Sequence, residues 1–144
     1  MSKISAETRK LVGVRANGKC EYCQSLELYS ITTFAIDHVI PSSKDGSNSI
    51  DNLAWSCQQC NNHKKAAIVH PDPVTTEKFA IFNPRSELWS EHFAWDVSCT
   101  RVVGMTGTGR ATVDRLKLNR KGLINLRQLL FCLLYTSPSP RDRG

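Results

Sequence analysis

An α+β fold is predicted by three features of the sequence. Runs free of proline suit helices near both ends, a stretch rich in β-branched and aromatic residues ("ITTFAIDHVI", 31–40) stops at Pro41, and two Cys-x-x-Cys pairs, Cys20/Cys23 and Cys57/Cys60, bracket that stretch. With 144 residues, 40% of them hydrophobic, the chain has room for one domain with a modest core.

Taken in order, residues 5–16 begin with Ser5, whose hydroxyl can cap a first helical turn, and they offer Leu11, Val12 and Val14 for burial. Gly18 permits the turn that presents "CEYC". Residues 31–40 read as a strand, "PSSKDGSNS" as a loop, and a helix is expected from about Cys57 onward. Pro71, Pro73 and Pro84 argue for an extended connector over 68–84 with at most a short strand at "KFAIF". "HFAWDVSCTRVVGMT" reads as two strands joined near 97–100, with Phe93, Trp95, Val102 and Met105 on one buried face. Cys99 falls in that turn and is read as a free thiol. A helix over "GTGRATVDRLKLNR" and a second at "LINLRQLL" complete the chain.

A net charge of +6 and a pI near 9.1 suggest a polyanionic partner. No apolar run approaches the roughly 18 residues that cross a bilayer, and "MSKISAETRK" lacks the apolar stretch of a signal peptide, so no membrane association and a cytoplasmic location are expected. In a reducing compartment the cysteines are read as metal ligands before disulfides. Two Cys-x-x-Cys pairs supply the four soft donors that tetrahedral Zn²⁺ prefers, in a closed and therefore structural site. The interval between the pairs exceeds the roughly 15–20 residues of a simple four-cysteine ribbon, so chemistry must come from what is inserted.

That insert holds Asp37, a hard carboxylate, beside His38, an imidazole suited to proton transfer, with Asn52 and Asn61 as amides that ligate or orient. A divalent ion on Asp37 and an amide, beside a histidine that deprotonates water, is a set for phosphodiester hydrolysis. Adjacent strand residues point to opposite sides, so Asp37 and His38 can take separate roles only near a strand end or bend. His63 lies about 200° around a helix from Asn61, so both cannot face one ion. Lys64 and Lys65, one turn beyond Asn61, and Arg85 are candidate nucleic-acid contacts.

The order "CEYC…IDHVIP…GSNSIDNLAWSCQQCNNHKK" resembles the HNH endonuclease family in its four-cysteine zinc form, from Cys20 to Lys65. The resemblance implies a ββα-metal core, a two-stranded hairpin packed on a helix around one catalytic metal. It further implies His38 as general base, Asp37 and Asn61 as metal ligands, and Asn52 as the asparagine that holds the histidine loop. Asparagine at position 61, where the family motif has its last histidine, favours Mg²⁺ or Mn²⁺ as the catalytic ion. The expected substrate is double-stranded DNA; the competing expectation is a catalytically inactive zinc-dependent nucleic-acid-binding module.

The expected organisation is a core over 1–70 and an extension over 71–131 packing on it. "FNPRSELWSEHFAW" and "GMTGTGRATVDRLKLNR" are similar to the tails of small bacterial members of that family. Arg85, Arg110, Arg115 and Lys117 there are either phosphate contacts or a solvated basic face. "GMTGTGR" fails as a phosphate loop, because Arg110 and Ala111 stand where Lys and Ser/Thr are required. Residues 132–142, "CLLYTSPSPRD", resemble a translated sequencing adapter, so 132–144 are expected to be an artefactual, disordered tail.

Overall fold

The computed structural model describes residues 4–136, with side chains through Phe131. The first helix, α1 (Ala6–Arg15), starts where Ser5 Oγ accepts from Thr8 N at 3.1 Å. Only Val12 of its three apolar candidates is buried. Leu11 and Val14 face out, because a single helix lying on one strand hides one narrow stripe. Gly18, at φ 70°, turns the chain into the first cysteine pair.

Strand β1 (Ala35–His38) pairs antiparallel with β2 (Leu53–Ser56), Asp37 opposite Ala54 and His38 opposite Leu53. The sequence reading left β2 unassigned, since "LAWS" is buried on both faces and shows no alternation. Helix α2 (Gln58–Lys64) follows at once and packs against β1, with Cys57 as its cap. The loop between β1 and β2 closes tightly at Gly46, where a Cβ would stand 1.6 Å from Ile40 O.

The connector expected after α2 is a hairpin, β3 (Val69–Pro71) with β4 (Lys78–Ala80). Pro71 is tolerated because a two-stranded sheet leaves every strand an edge. Because β3 straddles 70/71, the division expected there falls inside a strand. A short helix, α3 (Trp89–His92), leads into β5 (Phe93–Trp95), which pairs with β6 (Val102–Gly104) as expected. Phe93 and Val102 are buried, whereas Met105 is exposed and Trp95 lies at the rim, between the Trp89 ring and the Arg127 guanidinium. Helices α4 (Gly107–Leu116) and α5 (Lys121–Thr136) close the chain. Helix α5 runs beyond position 131, where the tail was expected to begin, and residues 137–144 lie outside the described residues. No described helix is long and apolar enough to cross a membrane.

One core joins both halves. Tyr22 meets Phe82 edge-on at 6.5 Å, Phe82 meets Phe93 at 5.3 Å and Phe93 meets Trp89 at 5.0 Å, while Trp89 Nε1 donates to Tyr22 O at 2.9 Å. Asp72, fully buried behind β3, receives Arg110 on both oxygens, Nε at 3.0 Å and Nη2 at 2.8 Å, which holds its pKa down to about 2. A carboxyl depressed in the folded state contributes stability above its ordinary value near 4 and loses it as pH falls toward about 2. Asp72→Asn is therefore expected to lower the urea midpoint at pH 6, with the gap to wild type closing between about pH 4 and 2. A gap that stays constant over that range would assign the loss to packing instead.

Candidate functional site

The four cysteines converge. Their Sγ atoms all lie within 4.8 Å of one another, with Cys23 and Cys57 at 3.8 Å. A tetrahedron of bonds of about 2.3 Å places sulfurs about 3.8 Å apart, so the cluster suits Zn²⁺. Main-chain N–H groups of Tyr22 and Cys23 donate to Cys20 Sγ, and that of Cys60 donates to Cys57 Sγ, each at 3.4 Å.

Arg120, from the turn between α4 and α5, adds a cation to this cluster: Nη2 donates to Cys57 Sγ at 3.3 Å and to Cys60 Sγ at 3.6 Å. Burial opposes the Arg120 charge, but Cys60 and Cys57 outweigh it and its pKa is raised. Hydrogen bonds from Cys20 first, then Cys23 and Cys60, hold the Cys57 thiol far below its ordinary value, whereas burial first pushes Cys20 up. Arg120 thus stands nearest to Cys57, the thiol held furthest down, while Cys60 beside it is pushed up by its hydrogen bonds with the other cysteines. The sequence reading missed Arg120, which lies 60 residues along the chain from the nearest cysteine of the cluster, Cys60.

Tyr22 lies inside the first knuckle and reaches across to the candidate active site. Its hydroxyl donates to Asp37 Oδ2 at 2.7 Å, and Lys64 Nζ approaches the same oxygen at 3.1 Å. Asp37 is 4% exposed and Lys64 1%. Burial raises the Asp37 pKa, and Lys64 and Tyr22 partly offset this. Lys64 also donates to His38 O and Val39 O, both at 3.2 Å. This corrects the sequence reading of Lys64 as a phosphate contact: the ammonium is a buried clamp with all three protons engaged. Spacing alone gave no sign of it, since Lys64 follows the helix face that Asn61 begins, and that face turns inward onto β1.

His38, at the end of β1, points the other way and is half-buried; its Nε2 lies 2.7 Å from Asn48 Oδ1. An accepting amide oxygen there places the proton of the neutral ring on Nε2 and leaves Nδ1 basic. Asn48 was also missed, hidden in a loop of small polar residues. Asn52 straps the same loop: Oδ1 accepts from Ile40 N, and Nδ2 donates to Ile40 O and Ser47 O, all at 2.9 Å. Asn61 shares its face of α2 with Lys64, toward β1, and its side-chain amide carries no hydrogen bond among the described residues. Neither does Asp37 Oδ1. A carboxylate oxygen and an amide oxygen are hard donors and fit Mg²⁺ or Mn²⁺.

Lys65 is exposed at the end of α2. The Arg85 guanidinium is paired with Glu21 and half-buried, so its charge is already taken up. Burial, then Arg120 and Lys117, lower the pKa of His63, which turns toward α4.

A hairpin, a helix and a four-thiol cluster between them define a metal-binding ββα domain. Residues 20–67, one third of the chain, match the family model described as HNH endonuclease. No curated protein and no solved structure matches the chain.

Two outcomes are expected from the cluster. Purified protein carries one zinc per chain, and Arg120→Ala loses it to a chelator about 10–100 times faster, measured by a colorimetric zinc indicator. Unchanged release would show that Arg120 is a bystander. Lys64→Ala strands the buried Asp37 carboxylate and costs about 3–5 kcal/mol in urea unfolding; a cost below 1 kcal/mol would rule the clamp out.

Proposed function

We propose that the chain is a metal-dependent endonuclease that hydrolyses phosphodiester bonds of double-stranded DNA. The observation that carries this reading is the division of roles at the end of β1, where Asp37 turns inward with Oδ2 fixed and Oδ1 open, and His38 turns outward to Asn48. The HNH match supports it.

His38 Nδ1 takes the proton from a water, whose oxygen attacks the scissile phosphorus as the 3′-oxygen leaves. Asn48 keeps the ring in the tautomer that leaves Nδ1 basic, and Asn52 keeps the loop that carries Asn48 against the strand end. Asp37 and Asn61 would hold Mg²⁺ or Mn²⁺, which supplies charge stabilisation to the phosphate and the leaving oxygen. Tyr22 and Lys64 position Asp37 by fixing its other oxygen.

Supercoiled plasmid incubated with Mg²⁺ or Mn²⁺ tests the assignment. Wild type is expected to nick or linearise it, and His38→Ala to lose at least about 100-fold in rate. Equal cleavage by both proteins, or none by wild type, would leave a nucleic-acid-binding module without catalysis. Tyr22→Phe is expected to retain zinc yet need about 10–100 times more Mg²⁺ for half-maximal rate. A uniform rate loss with unchanged metal dependence would count against positioning through Asp37.

A further inference from the structure

Between α2, β3 and α4 lies a recess of about 280 Å³ lined by Lys65, Arg115, Lys117, His63 and His70, with Asp114 the one carboxylate. Asp114 is already engaged, its Oδ2 2.8 Å from His70 Nε2. Arg115 is anchored by donation from Nη2 to Lys64 O at 3.2 Å, and its Nε is buried with no partner among the described residues. Lys65 and Lys117 are different: both are exposed, and neither ammonium has a hydrogen bond or ion pair among the described residues.

Both lysines also sit in unfavourable backbone. Lys65 ends α2 at φ 51°, ψ −129°, and Lys117 ends α4 at φ 53°, ψ 53°. Helix ends that need this region ordinarily use glycine or asparagine, because a Cβ is strained there. A favourable charge at the helix C-terminus does not account for the choice, since His63 and Lys64 in α2 and Arg115 in α4 already place basic residues in the last turns. Two strained helix ends from the two halves of the chain thus direct free ammoniums into one recess.

We propose that this recess binds the phosphodiester backbone of nucleic acid, with Lys65 and Lys117 as the phosphate contacts and Arg115 as fixed charge behind them. The proposal rests on the nuclease reading only for the identity of its ligand, and it gives the C-terminal half a share in holding substrate. The net charge of +6 favours the same partner.

The test uses the full chain carrying His38→Ala, so that a labelled DNA duplex stays uncut, and measures affinity at several salt concentrations without added Mg²⁺. The pair Lys65→Gly with Lys117→Gly removes charge and relieves the backbone; Lys65→Gln with Lys117→Gln removes charge and keeps the backbone as it is. Both pairs are expected to weaken binding about tenfold and to flatten the slope of log affinity against log salt by about 1.8, at roughly 0.9 per lost contact. The glycine pair is also expected to melt no lower than its parent. Unchanged affinity and slope in either folded pair would overturn the proposal, as would loss in the glycine pair alone, which would trace the effect to backbone shape. Wild-type plasmid cleavage reports separately on the nuclease reading: binding through the recess without cleavage would remove that reading and leave this one standing.

Discussion

Four buried thiols cannot share so small a space as ionised ligands unless cations stand with them, and the rest of the structure depends on how this is met. A four-thiolate zinc site carries a net charge near −2, so a buried one calls for a compensating donor beyond the metal. Arg120 is that donor, lying against Cys57 and Cys60. The cluster therefore ties three stretches together: the knuckle at 20–23, the start of α2, and the turn between α4 and α5. Neither a hairpin of four-residue strands nor a seven-residue helix would persist alone, so their mutual placement comes from the thiols and the aromatic core beside them.

Tyr22 converts that constraint into placement of a reactive group. Its backbone belongs to the first knuckle and its carbonyl receives Trp89, while its hydroxyl fixes Asp37. Any loosening of the thiol cluster is transmitted to the carboxylate through one rigid side chain. Lys64 closes the arrangement from α2 and neutralises the same oxygen. Under the proposed mechanism this has an electrostatic consequence: a carboxylate already balanced by an ammonium leaves a bound divalent cation more of its charge to act on phosphate.

The sequence made the donors legible and the partners of those donors obscure. Two Cys-x-x-Cys pairs announce a metal cluster because the spacing is itself the geometry of a knuckle. Asp37 and His38 could be singled out because hard and titratable groups beside such a knuckle are chemically conspicuous. Lys64 misled for the reason that makes it informative. A lysine near the end of a helix reads as surface charge, and only the packing of α2 on β1 turns it inward. Arg120 and Asn48 act across a fold or within a loop where local pattern carries no information about contact. Strand β2 escaped because a strand buried on both faces loses the alternation that identifies one.

The same contacts decide whether the C-terminal half is an appendage. A loosely attached extension would meet the rest of the chain through exposed polar groups, as interfaces between independent domains do. Here Arg115 donates to Lys64 O, Trp89 to Tyr22 O and Arg120 to two sulfurs of the cysteine cluster, while Phe82 packs on Tyr22. Each of these ends on a group that shapes either the thiol cluster or Asp37. Cutting the chain between its halves would thus expose a buried aromatic row, leave the Lys64 carbonyl without Arg115, and remove the cation beside the cysteines. The C-terminal half is packed into the same core as residues 20–67 and supplies contacts to the thiol cluster and to the residues around Asp37.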